Sequence, residues 1–185
     1  MSTRKIAVLV GSLRKESFSR KLARTLIELA PPALEYELVE LGALPLYNQD
    51  LEAAPPAEWV TFRDRVRPVD GVLFVTPEYN RSVPGVLKNA IDVGSRPYGK
   101  SVYSKKPAAI ASGSPGPMGA FGANHHLRQS LVFLDMPVLQ QPELYIGQID
   151  KQFDASGKLT SDSLRELFGK FMQAYAAWVE LHRPK

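Results

Sequence analysis

The chain has 185 residues, 44% hydrophobic and 23% charged, which excludes a disordered chain and suits one α/β domain spanning residues 1–185. It contains no cysteine, so disulfides, thiolate metal sites, iron–sulfur clusters and a cysteine nucleophile are ruled out, and a reducing cytoplasm is the expected home. The net charge of +4 favours anionic ligands, yet no block of Lys and Arg forms a nucleic-acid footprint, and no apolar run nears the roughly 18 residues of a membrane span.

Residues 6–10 form a β-branched run that ends at Gly11, the pattern of a buried strand and too short for a signal peptide. A polar loop follows. Phe18, Leu22, Leu26 and Leu29 then recur at helical spacing until Pro31 and Pro32 stop the helix. Residues 34–41 read as a second strand, supported by the alternation of Leu34, Tyr36 and Leu38. Residues 42–57 are a long Pro-rich loop in which Leu46, Tyr47 and Leu51 are available to pack or bind. Trp59, Phe62 and Val66 mark a second helix, closed by Pro68.

Residues 72–75 are the most strand-like run, ended by Pro77, which cannot donate to a ladder. Val83, Val86, Leu87, Ala90 and Ile91 make a third helical stripe, with Ser82 placed as its N-cap and Pro84 in its first turn. Residues 107–111 read as a fourth strand. Leu127, Leu131 and Leu134 predict a fourth helix, and residues 138–146 a weaker fifth strand containing Pro142. Leu164, Leu167, Phe168, Phe171, Tyr175, Trp178 and Val179 form a terminal amphipathic helix whose aromatic residues belong to the core. Strands alternating with helices predict a parallel sheet covered on both faces, which binds ligands at the carboxyl ends of its strands.

Three loops leave those ends. The first, Gly11-Ser12-Leu13-Arg14-Lys15-Glu16-Ser17-Phe18-Ser19, brings hydroxyls and free N–H groups to a helix N-terminus, with Arg14 offering a fork that matches a phosphoryl group. Helix capping by Ser17 or Ser19 explains one serine and not the set. Neither a P-loop nor a G-x-G-x-x-G fingerprint is present, so a monophosphate suits this loop better than a nucleoside triphosphate or a dinucleotide. The second loop, Thr76-Pro77-Glu78-Tyr79-Asn80-Arg81-Ser82, is stiffened by proline; it reads equally as a rigid connector or as a binding loop whose N–H groups at Glu78, Tyr79 and Asn80 face a planar heterocycle. The third, residues 112–122, carries glycines that let backbone approach a ligand, and lacks the G-x-S-x-G elbow of a serine hydrolase. Adjacent His125 and His126 do not share a helix face, so no metal is expected; Asp92 reads as an ion-pair partner of Arg96, and Lys105 and Lys106 as solvated.

The first loop, the segment Pro45-Leu46-Tyr47-Asn48-Gln49-Asp50, residues 76–85 continuing to Lys88-Asn89-Ala90-Ile91-Asp92, and residues 127–135 together resemble the NADPH-dependent FMN reductase family, more narrowly its bacterial chromate and quinone reductase branch. The resemblance implies a flavodoxin-like three-layer sandwich with a five-stranded parallel sheet in the order 2-1-3-4-5. It implies bound FMN, NADPH or NADH as electron donor, and quinones as acceptors, with chromate, azo and ferric compounds as further ones. A homodimer or homotetramer is implied as well. By match to the family's motifs, Ser12, Arg14, Ser17, Phe18 and Ser19 hold the FMN phosphate, Pro77, Glu78, Tyr79 and Asn80 contact the flavin ring, and Ser114 and Gly116 close over it. No side chain acts as catalyst, since the flavin carries the chemistry. The chain departs from the pattern at Val93-Gly94, where many members carry Trp, and at residues 119–124. Two other readings remain at this point: a non-enzymatic electron carrier, for which an acidic docking face would be expected, and a flavin-free phosphate- or nucleotide-binding module.

Overall fold

The computed structural model describes residues 3–182. Five parallel strands form one sheet in the order β2-β1-β3-β4-β5. They are β1 (Arg4–Val10), β2 (Leu34–Val39), β3 (Gly71–Thr76), β4 (Ala108–Gly113) and β5 (Leu144–Ile146). The helices between and after them are α1 (Phe18–Glu28), α2 (Ala57–Val66), α3 (Gly85–Gly94), α4 (Phe121–Phe133) and α5 (Asp162–His182). This is the flavodoxin-like sandwich implied by the resemblance.

Strand alternation builds the two layers. In β1, Ile6, Val8 and Val10 point into the layer that contains Leu22, Leu26, Phe168, Phe171 and Tyr175 of α1 and α5. Ala7 and Leu9 point the other way, toward Trp59, Phe62, Leu87, Ile91, Leu127 and Leu131 of α2, α3 and α4. A strand apolar on both sides suits only a central position in a sheet covered on both faces. Every residue of β3 and of β4 is buried. The edge strand β2 instead exposes Glu35 and Glu37.

Four local expectations are corrected. The fifth strand is confined to Leu144–Ile146, and Val138 makes only an isolated bridge to Ala108; Pro142 between them has no N–H to donate. Ser82 does not cap α3, because Pro84 holds the cap position and the Ser82 hydroxyl bonds to His126 Nδ1 at 2.7 Å. Asp92 pairs with Lys88 at 2.7 Å rather than with Arg96, which lies beyond the end of α3. Lys106 is not solvated: its ammonium donates to the carbonyls of Arg67 and Val69, just past α2, at 2.8 and 2.5 Å. Among the described residues no helix is long and apolar enough to cross a membrane, and no three His, Cys, Asp or Glu gather as metal ligands.

Candidate functional site

The strand order reverses direction between β1 and β3, and this is the switch point where ligands of such sheets bind. Register sets the three loops side by side there. Val10 pairs with Val75, Thr76 with Ser112, and the Gly11 N–H donates to Val75 O at 2.9 Å. A Cβ on Gly11 would stand 3.2 Å from Thr76 Oγ1 and 3.3 Å from Pro77 Cδ, so a side chain here would crowd the point where the first loop turns away from the second.

In the first loop Ser17 is the N-cap of α1, its hydroxyl oxygen accepting from the Arg20 N–H at 3.2 Å. That bond leaves the Ser17 O–H free to donate. The hydroxyls of Ser12 and Ser19, on residues 5% and 3% exposed, have no partner among the described residues. The residues are packed in while their hydroxyl oxygens stay open to a ligand, and they stand beside the unsatisfied N–H groups of the first turn of α1, where the helix dipole favours an anion. Arg14 is exposed and makes no ion pair; its guanidinium lies 5.9 Å from the centre of the Phe18 ring. Two free hydroxyls, a third able to donate, amide N–H groups and an unpaired guanidinium match the donor set of one phosphate monoester, so these residues fit the phosphate end of FMN.

The second loop is a two-residue hairpin. Tyr79 and Ser82 bridge each other through both backbone bonds, at 3.1 and 3.0 Å, and the central Asn80 and Arg81 have φ of 51° and 64°. Both signs positive make this a type I′ turn. The Tyr79 N–H is therefore taken by Ser82 O and cannot face a ligand, contrary to expectation, whereas the N–H groups of Glu78 and Asn80 have no partner among the described residues. The Glu78 carboxylate accepts from the Ala123 N–H at 2.9 Å, at the N-terminus of α4. One carboxylate oxygen is committed to that helix and the other stands 3.9 Å from the Arg81 guanidinium, while the backbone N–H is left for a heterocycle. Pro77 is half-buried, and its carbonyl accepts from the Thr76 hydroxyl at 2.7 Å. Tyr79 is 50% exposed at the rim.

The third loop is packed downward more than outward. Gly119, at φ 60°, would drive a Cβ to 2.6 Å from the Tyr145 backbone, so its glycine serves close packing on β5. Only Gly116 stands open, with the Ser114 hydroxyl oxygen 3.8 Å from where its Cβ would be. The Ser114 hydroxyl donates to Gly116 O and accepts from the Ala120 N–H, both at 3.2 Å, fixing the loop's curve. Beneath it lies a buried network not anticipated from sequence. Ser112 Oγ donates to Gly119 O at 2.9 Å and accepts from Asn124 Nδ2 at 3.2 Å, and Arg128 bonds Asn124 Oδ1.

Tyr47 does not reach this edge. Its ring stacks on Trp59 at 5.6 Å, its hydroxyl donates to Glu52, and its N–H donates to Asn89 Oδ1 at 2.8 Å. Buried Asn89 also donates to the carbonyls of Leu44 and Pro45, tying the Pro-rich loop to α3. A groove of about 700 Å³ lies on that side of the molecule, lined by Tyr47, Arg96, Tyr98, Phe133 and their neighbours.

The family model of the NADPH-dependent FMN reductases matches residues 4–151. A quinone reductase of Pseudomonas putida is 62% identical over 179 residues, covering 96% of each chain. A 2-hydroxy-1,4-benzoquinone reductase of a Burkholderia species is 46% identical and covers 97% of this chain and 98% of its own. Among solved structures, the flavoenzyme NAD(P)H:(acceptor) oxidoreductase FerB of Paracoccus denitrificans superposes with a TM-score of 0.92 at 40% identity, covering 98% of this chain and all of its own.

Proposed function

The chain belongs to the NADPH-dependent FMN reductase family, and we propose that it is an FMN-containing quinone reductase driven by NADPH or NADH. The names of its relatives support a quinone as acceptor. Bound FMN would supply the redox chemistry, hydride acceptance from the nicotinamide and two-electron reduction of the acceptor, while the protein binds and orients.

The observation that carries this reading is the set of partnerless donors on the first loop. Ser12, Ser17 and Ser19 donate hydroxyls to the FMN phosphate, Arg14 supplies the charge, and Phe18 packs beside it. Across the switch point Pro77 and Tyr79 would border the ring, and the unpartnered N–H groups of Glu78 and Asn80 would be its hydrogen-bond donors. Such donors stabilise negative charge there without reorganisation. Ser114 and Gly116 close the third side. Under this reading no side chain needs to act as nucleophile or base, because the flavin carries the chemistry. Chromate, azo and ferric compounds are further acceptors under this proposal, since the flavin carries the electron transfer and no acceptor-specific side-chain chemistry is required.

We read residues 1–185 as one FMN-binding domain, acting in the cytoplasm as a homodimer or homotetramer on small molecules. The oligomer is supported by Tyr79, Met118 and Phe121, which are 50%, 57% and 43% exposed along the rim of the site. Apolar groups gathered at one rim mark a partner surface, and a second copy there would shield the flavin from water.

The test is direct. Purified protein should be yellow and release FMN on heating, and should then oxidise NADPH or NADH only when a quinone or another acceptor is supplied. A colourless protein that does not bind FMN would make the family's cofactor foreign to this chain.

A further inference from the structure

Arg81 stands where a type I′ turn favours glycine. The second central position of that turn needs positive φ, which an L side chain resists, and Asn-Gly is the usual solution. Here Asn80 is followed by Arg81 at φ 64°. Nothing in the turn's own geometry calls for an arginine, and a side chain kept against backbone preference beside a binding site points to a use for that side chain.

The turn is also held still. The Glu78 carboxylate is bonded to the Ala123 N–H, the Ser82 hydroxyl to His126, and Tyr79 to Ser82 through both backbone bonds. A Cβ on Gly122 would lie 3.0 Å from the Arg81 carbonyl, so α4 packs directly against the turn. On this fixed base the Arg81 guanidinium is 81% exposed and makes no hydrogen bond among the described residues; its nearest carboxylate oxygen is that of Glu78 at 3.9 Å. Arg4, Arg20 and Arg65 by contrast are each bonded to a glutamate at 2.7, 2.6 and 2.7 Å.

Two guanidiniums without a hydrogen bond thus border one ligand edge, Arg14 on the first loop and Arg81, in a loose 3.9 Å ion pair with Glu78, on the second. FMN has one phosphate, and Arg14 with the serines accounts for it. The electron donor is a nicotinamide dinucleotide, which carries a pyrophosphate and, in NADPH, a further phosphate on the adenosine ribose. We propose that Arg81 holds a phosphate group of the electron-donating dinucleotide, and that this is why the turn retains a side chain in a glycine conformation. The inference rests on the reductase reading above. A planar fork of N–H donors is matched to phosphate oxygens, and a rigid turn presents it without the loss of freedom that an arginine on a mobile loop would suffer.

Anaerobic stopped-flow mixing of the FMN-loaded protein with NADPH or NADH tests this, with Arg81→Gln, Arg81→Lys and Arg81→Gly beside the wild type. In Arg81→Gln and Arg81→Gly the apparent donor Kd should rise by about tenfold or more, as for loss of a charge-assisted hydrogen bond. Arg81→Lys should recover part of that loss. The limiting rate of flavin bleaching and the affinity for FMN should change by less than about twofold, the pattern of a contact equally present in ground and transition states. Arg81→Gly should also melt at the same or a higher temperature, since it relieves the left-handed backbone. A loss seen with NADPH alone assigns the ribose phosphate, and a loss with both donors assigns the pyrophosphate; either supports the proposal. Unchanged donor Kd in Arg81→Gln, or a loss that tracks a lowered melting temperature in Arg81→Gly, overturns it. Wild-type flavin left unbleached by both dinucleotides overturns the reductase reading as well, a failure distinct from a variant that behaves as wild type.

Discussion

At the residue scale, the site is a set of donors that the protein itself leaves unused. The hydroxyls of Ser12 and Ser19 bond to no group among the described residues, and Arg14 lacks an acidic partner. An exposed arginine is of little consequence to folding, but as the charged member of a phosphate site its removal is costly. Arg14→Ala should therefore weaken FMN by about 1.5–3 kcal/mol, the range for hydrogen bonds to charged groups. Riboflavin, which lacks the phosphate, should be affected far less. Flavin fluorescence titration of both ligands measures this, and equal losses for the two would remove Arg14 from the phosphate role. The placement of these residues at the start of α1 was legible in sequence, because hydroxyls, arginine and a helix start fall within nine positions; the anion they would hold belongs to the proposal. The commitment of Glu78 to α4 and of Ser82 to His126 was not legible, because each joins residues more than forty positions apart. The loss of the Tyr79 N–H to the hairpin was hidden for a different reason: a type I′ turn is announced by Asn-Gly, and this chain has Asn80-Arg81.

At the element scale, periodicity carried most of the information. The run 6–10 of β1 and the stripe through Phe168, Phe171 and Tyr175 of α5 are apolar in the patterns that their elements require. The reading failed where local pattern and chain direction parted. Residues 138–146 look like one extended run, but only the last three join the ladder. Asp92 has a cation four positions away on either side; the helix ends at Gly94, so only Lys88 shares its face. Lys106 gives this scale its own prediction. It links the start of β4 to the carbonyls beyond α2, and burial pushes its pKa from 10.5 down to about 8. The folded chain therefore binds its proton more weakly than the unfolded chain. Between about pH 8 and 10.5 the unfolded state holds more protons, and stability rises with pH across that window on account of this group. Denaturant unfolding of wild type and Lys106→Met at several pH values should show the wild type gaining relative to the variant as pH is raised from 8 toward 10. A difference that stays flat would show that the amine titrates as it does in the unfolded chain. FMN affinity should be untouched, because Lys106 lies at the opposite end of the sheet from the three loops.

At the scale of the whole molecule, the order β2-β1-β3-β4-β5 determines where a ligand can bind, and every candidate residue falls at that one edge. The edge is also apolar and exposed at Tyr79, Met118 and Phe121. Sedimentation at micromolar protein should accordingly find a species of at least twice the 20.5 kDa chain, and Tyr79→Ala should weaken both assembly and turnover. A 20.5 kDa monomer with full quinone reductase activity would place the complete site in one chain.

The central claim is that one bound flavin serves donor and acceptor in turn, and it is tested most directly by separating the two halves of the reaction. FMN-loaded protein mixed anaerobically with NADPH or NADH alone should lose its flavin absorbance before any acceptor is present, and adding a quinone afterwards should restore it within the turnover time. Flavin that stays oxidised under an excess of both dinucleotides would contradict the account and leave a protein that binds FMN without being a reductase.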